Sequence, residues 1–233
     1  MKAIRMIWLG LTLILSVMAG CSMETAKVDP NTYSKIEGMP LTILLVPVGN
    51  LQTNCYLVYD PKTLDAIVID PGAEEEKINS LIKEYKLKVG KIILTHGHGD
   101  HTMAVAGVKE ATKANVYIHS NDQSILNGVT ADRYLMAGEN IQIGEQALTV
   151  VLTPGHTPGG ITLVGNGMAF TGDTLFNGTV GKTNLPGGNE AALVNSIKYL
   201  ICNLPPETRI FPGHKTESTI GAERDRYKEA FGL

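Results

Sequence analysis

The segment His96-Gly-His98-Gly-Asp100-His101 places four metal-capable side chains within six residues, directly after the apolar run Lys91-Ile-Ile-Leu-Thr95. Imidazole and carboxylate are ligands that suit zinc and its first-row neighbours. The intervening glycines allow the backbone to bend so that alternate side chains converge. A solvated polar loop would not gather three of the chain's six histidines into one turn. Three later segments add to the set. Thr153-Pro-Gly-His156-Thr-Pro-Gly-Gly160 and Phe211-Pro-Gly-His214 each hold a histidine in a Pro/Gly-fixed loop, and Thr171-Gly-Asp173 supplies a carboxylate. A lone histidine in a turn is more often structural, but together these segments use five of the six.

The elements that must position them are short strands. Apolar, β-branched runs bounded by Gly, Pro, Asn or Asp recur at 41–48, 55–59, 66–69, 92–94, 116–118, 147–152, 161–164, 168–170 and 209–211. Helical spacing marks 74–85, and 102–112 and 190–202 are further helix candidates, with Asn189 placed to cap the last. Every polar motif follows a strand: Asp70 follows Ala66–Ile69, His96 follows Ile92–Leu94, and His156, Asp173 and His214 follow runs of their own. Loops at one rim of a sheet could therefore bring them together on a rigid base. This pattern predicts sheets packed together with helices outside.

The order HxHxDH, His, Asp, His resembles the metallo-β-lactamase superfamily over residues 41–224. The resemblance implies an α/β fold, a four-layered αβ/βα sandwich with the metal site at one edge. It also implies two divalent metal ions, with zinc expected first and iron or manganese as alternatives. On that pattern His96, His98 and His156 hold one ion and Asp100, His101 and His214 the other. Asp173 bridges them, and Asp100 and Asp173 carry the catalytic roles. Two dications lower the pKa of a bridging water toward 7, so a bridging hydroxide serves as nucleophile without a Ser or Cys. Asp70 could accept a ligand imidazole N–H and fix its tautomer, or it could cap the next helix. His119 reads as structural, and Tyr134 is within reach of a substrate only if its loop folds that way.

Longer strings narrow the resemblance to the glyoxalase II-like, hydroxyacylglutathione hydrolase-type branch: Asn54-Cys-Tyr-Leu-Val58, Gly172-Asp-Thr-Leu-Phe-Asn-Gly-Thr-Val-Gly-Lys-Thr-Asn-Leu-Pro-Gly-Gly188 and Gly213-His-Lys-Thr-Glu-Ser-Thr-Ile-Gly221-Ala-Glu-Arg224. These imply a small-molecule acyl substrate, a thioester such as S-lactoylglutathione. Only 19 residues follow His214, so the chain is similar to the short, single-domain relatives, which lack the helical extension of full-length enzymes. Lys182, in Gly181-Lys-Thr-Asn184 where those relatives carry Gly-Arg-Thr-Asp, could meet a substrate carboxylate without the fork of an arginine, or be a solvated loop lysine. Phe176 is a second candidate for substrate contact. The alternatives are a metallo-β-lactamase or lactonase-type hydrolase, a single-iron persulfide dioxygenase, and a non-catalytic, lipid-anchored metal-binding module. Asp173 speaks against the β-lactamase, since those enzymes generally lack a bridging carboxylate there, and the complete second ligand set speaks against the dioxygenase.

The N-terminus carries a different message. Lys2 and Arg5 precede a mostly apolar run, Met6–Met18, and Met18-Ala19-Gly20-Cys21 resembles a bacterial lipobox. The expected organisation is a signal peptide over 1–20, an acylated Cys21, a tether over 22–39 and a hydrolase domain over 40–233. The protein is then anchored in the cell envelope through its lipid, at the outer membrane if the host has one. A net charge of −3 offers no basic face to nucleic acid. Cys55 and Cys202 read as buried small hydrophobes. Oligomeric state is left open.

Overall fold

The computed structural model describes residues 33–231. The lipobox-like segment with Cys21, and all of the expected tether before residue 33, lie outside the described residues. The first half of the domain runs β1 (Ser34–Ile36), β2 (Thr42–Val48), β3 (Thr53–Tyr59), β4 (Asp65–Ile69), α1 (Glu75–Glu84), β5 (Lys88–Ile93), α2 (Gly99–Thr102), α3 (Val105–Thr112), β6 (Asn115–His119) and β7 (Arg133–Leu135). Its seven strands form one sheet in chain order, antiparallel from β1 to β4 and parallel from β4 to β7. The second half runs β8 (Asn140–Ile143), β9 (Gln146–Leu152), β10 (Ile161–Gly165), β11 (Met168–Gly172), the hairpin β12 (Leu175–Phe176) and β13 (Thr179–Val180), α4 (Glu190–Asn203), β14 (Arg209–Pro212), β15 (Ser218–Thr219) and α5 (Ile220–Phe231). Its main sheet has the order β15-β14-β11-β10-β9-β8.

The near-continuous apolar strands follow from burial on both faces. Along β3, Cys55, Leu57 and Tyr59 face the layer of α1 and α3, while Tyr56 and Val58 face the other sheet. β4 repeats this, with Ala66 and Val68 on one side and Ile67 and Ile69 on the other. Between the sheets Tyr56 meets Phe170 and Phe211 edge-on at centroid distances of 5.2 and 6.0 Å. On the far face Leu193, Ile197, Leu200 and Ile201 of α4 pack with Ile210 and Ile220. The result is the expected four layers, helix–sheet–sheet–helix.

Three differences from the sequence expectations are instructive. The tether reading extends to residue 39, yet Ser34–Ile36 pairs with Ile43–Leu45 and the Tyr33 hydroxyl meets that of Tyr85 at 2.5 Å. Backbone pairing stabilises this polar stretch, which has no apolar periodicity of its own. Helix α5 also lacks a clear apolar stripe: Ile220 and Glu223 of its first turn are buried, and Tyr227 and Phe231 pack half-buried against the α4 layer. Cys55 is buried as expected, but Cys202 is exposed. Leu193, Ile197, Leu200 and Ile201 set the buried face of α4, and Cys202 falls outside it. No helix among the described residues is long and apolar enough to cross a membrane.

Candidate metal centre

The polar motifs meet at one rim. β4 and β5 are parallel, so Asp70 and the His96–His101 loop leave the first sheet at the same end. β9, β11 and β14 point one way in the second sheet, which delivers His156, Asp173 and His214 to the facing edge. Two ligand sets result: His96, His98 and His156, and Asp100, His101 and His214, each with its ligand atoms within 4.8 Å of one another.

Spacing within the sets is that of a coordination shell. Four ligands about 2.1 Å from a tetrahedral ion stand about 3.4 Å apart. His98 Nδ1 lies 2.9 Å from His156 Nε2. His101 Nε2 lies 3.4 Å from His214 Nε2 and 3.5 Å from Asp100 Oδ2, and His214 Nε2 lies 3.2 Å from Asp100 Oδ2. Asp173 reaches both sets, with Oδ2 at 3.4 Å from His156 Nε2 and 3.6 Å from His214 Nε2, and Oδ1 at 3.4 Å from His101 Nε2. His96 Nε2 and Asp173 Oδ1 are buried without a hydrogen-bond partner. Such orphaned atoms are costly unless something else satisfies them, and a cation at this point does so. The residues fit two metal ions.

Outer contacts set which nitrogen each ring turns inward. Asp70 Oδ2 accepts from His101 Nδ1 at 2.9 Å and from Thr95 Oγ1 at 2.6 Å, while Asp70 Oδ1 accepts from the Thr95 N–H at 2.7 Å. With its proton given to Asp70, Thr95 Oγ1 can accept from His96 Nδ1 at 3.1 Å. One carboxylate thus orients His101 directly and His96 through a threonine. The alternative role for Asp70, capping α1, is not the one it takes: α1 has no side-chain cap. His156 Nδ1 donates to the Lys182 carbonyl at 2.6 Å, and His214 Nδ1 to that of Leu51 at 3.3 Å. His98 differs from the others in turning Nδ1 inward.

Charge divides the sets. Burial pushes His96 well below the ordinary imidazole pKa, and the neighbouring imidazoles push the same way; burial and His156 also lower His98. At His101 burial opposes the charged ring, but Asp173 and Asp70 outweigh it and the pKa is raised well above its usual value. His214 is raised against burial by Asp100. Asp100 and Asp173 are lowered against burial, Asp100 by His214 and His101, and Asp173 by His101 and His214.

The remaining candidates fall elsewhere. The Lys182 side chain is exposed, and its backbone carbonyl is what touches the site. Phe176 is only 7% exposed and meets the His214 ring edge-on at 6.0 Å, so it supports a ligand rather than lining an open substrate site. His119 accepts from the Asn121 N–H, and exposed Tyr134 donates to Gln123. Sequence reasoning missed Asp122. Fully buried, it accepts from the Gly97 N–H at 2.9 Å and, through its other oxygen, from the Gly159 N–H, tying the His96–His98 loop to the His156 loop. Here the glycines give room rather than bend: a Cβ on Gly97 would lie 3.0 Å from the Asp122 carbonyl, and one on Gly159 2.7 Å from Asp122 Oδ1. Its only signal was a place in the loop after β6, three residues past the strand end. Tyr56 and Asn54 were also missed as braces: both donate to the Pro212 carbonyl, at 2.6 and 2.9 Å, beside the His214 turn.

The metallo-β-lactamase superfamily model matches residues 48–214, well over half of the chain and the stretch that carries every one of these ligands. The chain belongs to the metallo-β-lactamase superfamily. It is 38% identical over 201 residues to an uncharacterized protein of Aquifex aeolicus, covering 79% of this chain and 94% of the relative. It is 34% identical over 200 residues to the probable metallo-hydrolase YqgX of Bacillus subtilis, covering 78% and 93%. Hydroxyacylglutathione hydrolase GloC of Haemophilus influenzae is 30% identical over 203 residues, covering 79% and 95%. Among solved structures, the BLEG-1 B3 metallo-β-lactamase superposes with a TM-score of 0.73 at 32% identity, covering 78% of this chain and 95% of that one. TTHA1623 in a di-iron-bound form gives 0.69 at 36%, covering 77% and 96%. As a metallo-hydrolase of this superfamily, the chain has the fold and the His/Asp clusters for a dinuclear site.

Proposed function

We propose that this superfamily member hydrolyses a thioester, S-hydroxyacylglutathione-like or a related acyl compound, at a two-metal centre with Asp173 between the ions. One observation supports this above the rest: seven ligand-type residues converge with their free lone pairs inward, and Asp173 spans both sets. Two bound dications supply Lewis acidity and a water acidic enough to attack at neutral pH. The protein's own part is to hold the rings: Asp70 and Thr95 fix His101 and His96, the Lys182 and Leu51 carbonyls fix His156 and His214, and Asp122 locks two ligand loops together. A thioester suits such a site, because its carbonyl lacks amide resonance and its thiolate leaves without a proton. Similarity to GloC supports this substrate class. Zinc is the first choice of metal on ligand chemistry, with the di-iron form of TTHA1623 supporting iron as the alternative.

Similarity to BLEG-1 favours a second reading, hydrolysis of a β-lactam. The full chain, loaded in turn with zinc, iron or manganese, is assayed on thioesters, lactones and β-lactams. Thioester turnover that is abolished by chelator and by His98→Ala supports the first reading, and turnover of β-lactams alone overturns it in favour of the second. No turnover with two ions bound points to a binding module. We propose in addition that Cys21 is acylated and anchors the chain in the envelope. Cys21→Ala then moves the protein to the soluble fraction, and persistence at the membrane overturns this part.

A further inference from the structure

We propose that an apolar cleft beside Asp100 receives the acyl chain of the substrate, so that the enzyme prefers thioesters of unbranched apolar acids. This rests on the thioester reading above and names the acid. The cleft has a volume of about 240 Å³; Val48, Leu51, Ala73 and Met103 line it, with Asn50, Thr53 and Asp100 as its polar side chains. Leu51 and Met103 are 67% and 69% exposed, among the largest exposures of any big apolar side chain in the described residues. Single exposed apolar residues are ordinary. Two that line the same cavity as a metal-ligand residue make a concave apolar site of the kind that binds small molecules.

The backbone of both residues is tied to the ligand segments. The Leu51 carbonyl accepts from His214 Nδ1, and the Met103 N–H donates to the Gly99 carbonyl at the end of the turn carrying Asp100 and His101. Thr53 Oγ1 donates to Asp100 Oδ2 at 3.3 Å, and Asp100 is the one charged side chain lining the cleft among the described residues. Beyond His156, Lys182 and Asn184 are exposed in the loop after β13. A thiol carrier, bulky and polar, suits that exposed polar loop. The cleft matches about eight water volumes, room for a hydrocarbon chain and too little for a carrier. In the reaction the acyl carbon exchanges its C–S bond for a C–O bond from water. The thiolate leaves with the C–S electron pair, and the water's protons pass to solvent as the carboxylate forms.

The test uses the metal-loaded full chain and acyl thioesters of one thiol, from acetyl to octanoyl. Each buried methylene raises kcat/KM about fourfold until the cleft is full, and Leu51→Ser and Met103→Ser each lower the octanoyl-to-acetyl ratio. A flat series with good acetyl turnover overturns the cleft assignment and leaves the thioesterase reading standing. If no thioester is turned over, binding of octanoate against acetate, by calorimetry, decides the cleft alone: stronger octanoate binding lost in Met103→Ser upholds it, and equal binding overturns it. A dimer in solution that Leu51→Ser dissociates would also overturn it, since a second copy would then cover the cleft.

Discussion

The two ligand sets stand side by side, yet they are built of opposite materials. The first is three imidazoles, two of them held below their ordinary pKa, with no carboxylate except Asp173. The second pairs Asp100 with two histidines whose basicity the neighbouring carboxylates raise. Their braces differ in the same way. Asp122 grips backbone N–H groups of two loops in the first set, whereas Asp70 grips a ring directly in the second. One set is held by the shape of its loops and the other by charge. The difference teaches that a single rim can offer two ions unlike sites, one neutral and preformed, the other coupled to protons.

Breaking the join between the halves has the largest effect. Asp173 places an oxygen within 3.6 Å of ligand nitrogens of both sets, so Asp173→Ala weakens both ions and lowers turnover by more than about a hundredfold, beyond the range seen when an outer partner is removed. Metal content after dialysis and kcat on the best thioester check this; loss of one ion with the other held tightly would show that Asp173 is not shared. Asp70→Asn comes next. The amide has one oxygen for three donors: placed at Oδ2 it leaves the Thr95 N–H against an NH2, and placed at Oδ1 it releases both His101 and the Thr95 hydroxyl, so the orientation of His101, and of His96 through Thr95, is weakened. Affinity for the second ion falls about 10- to 100-fold, and for the first by less, as read by competition with a chromophoric chelator.

Much of this was legible in the sequence, for a physical reason. Metal ligands come from a few residue types, here His and Asp, Pro and Gly fix the turns that present them, and buried strands read as apolar runs, so the sites and most strands show in the text of the chain. What did not show was whatever depends on a distant partner. Ser34–Ile36 becomes a strand only because β2 offers its edge. Phe176 sits in a string that suggested substrate contact, but packing turns its ring onto His214. Asp122 sits in Ser120-Asn-Asp-Gln, where nothing local separates a loop carboxylate from a buried brace.

Asp122 therefore makes the sharper test of the first half. Asp122→Asn keeps the volume but leaves either the Gly97 or the Gly159 N–H facing an amide nitrogen. An unmet buried donor costs about 1–3 kcal/mol, which lowers the melting temperature. Because both donors lie in loops of the first set, affinity for the first ion falls about tenfold while the second is unchanged. Equal loss of both ions would make Asp122 a general stabiliser of the rim.

Acidification draws the finest line between the halves. Ions and protons compete for the same nitrogens. A raised pKa means that a proton stays on the ring up to a higher pH, so His101 and His214 hold theirs where His96 and His98 have already lost theirs. As pH falls, protons reclaim the second set first, and its ion leaves at a higher pH than the first set's. Titration of the doubly loaded protein toward acid, with released metal measured at each step, gives two stages, and histidine NMR assigns the earlier one to His101 and His214. Asp70→Asn removes one of the carboxylates that stabilise protonated His101, so in the metal-free protein the His101 titration moves down while that of His214, raised by Asp100, stays in place. A change confined to His101 is a signature that simple loosening of the fold does not produce, since loosening brings both rings back toward the ordinary imidazole range.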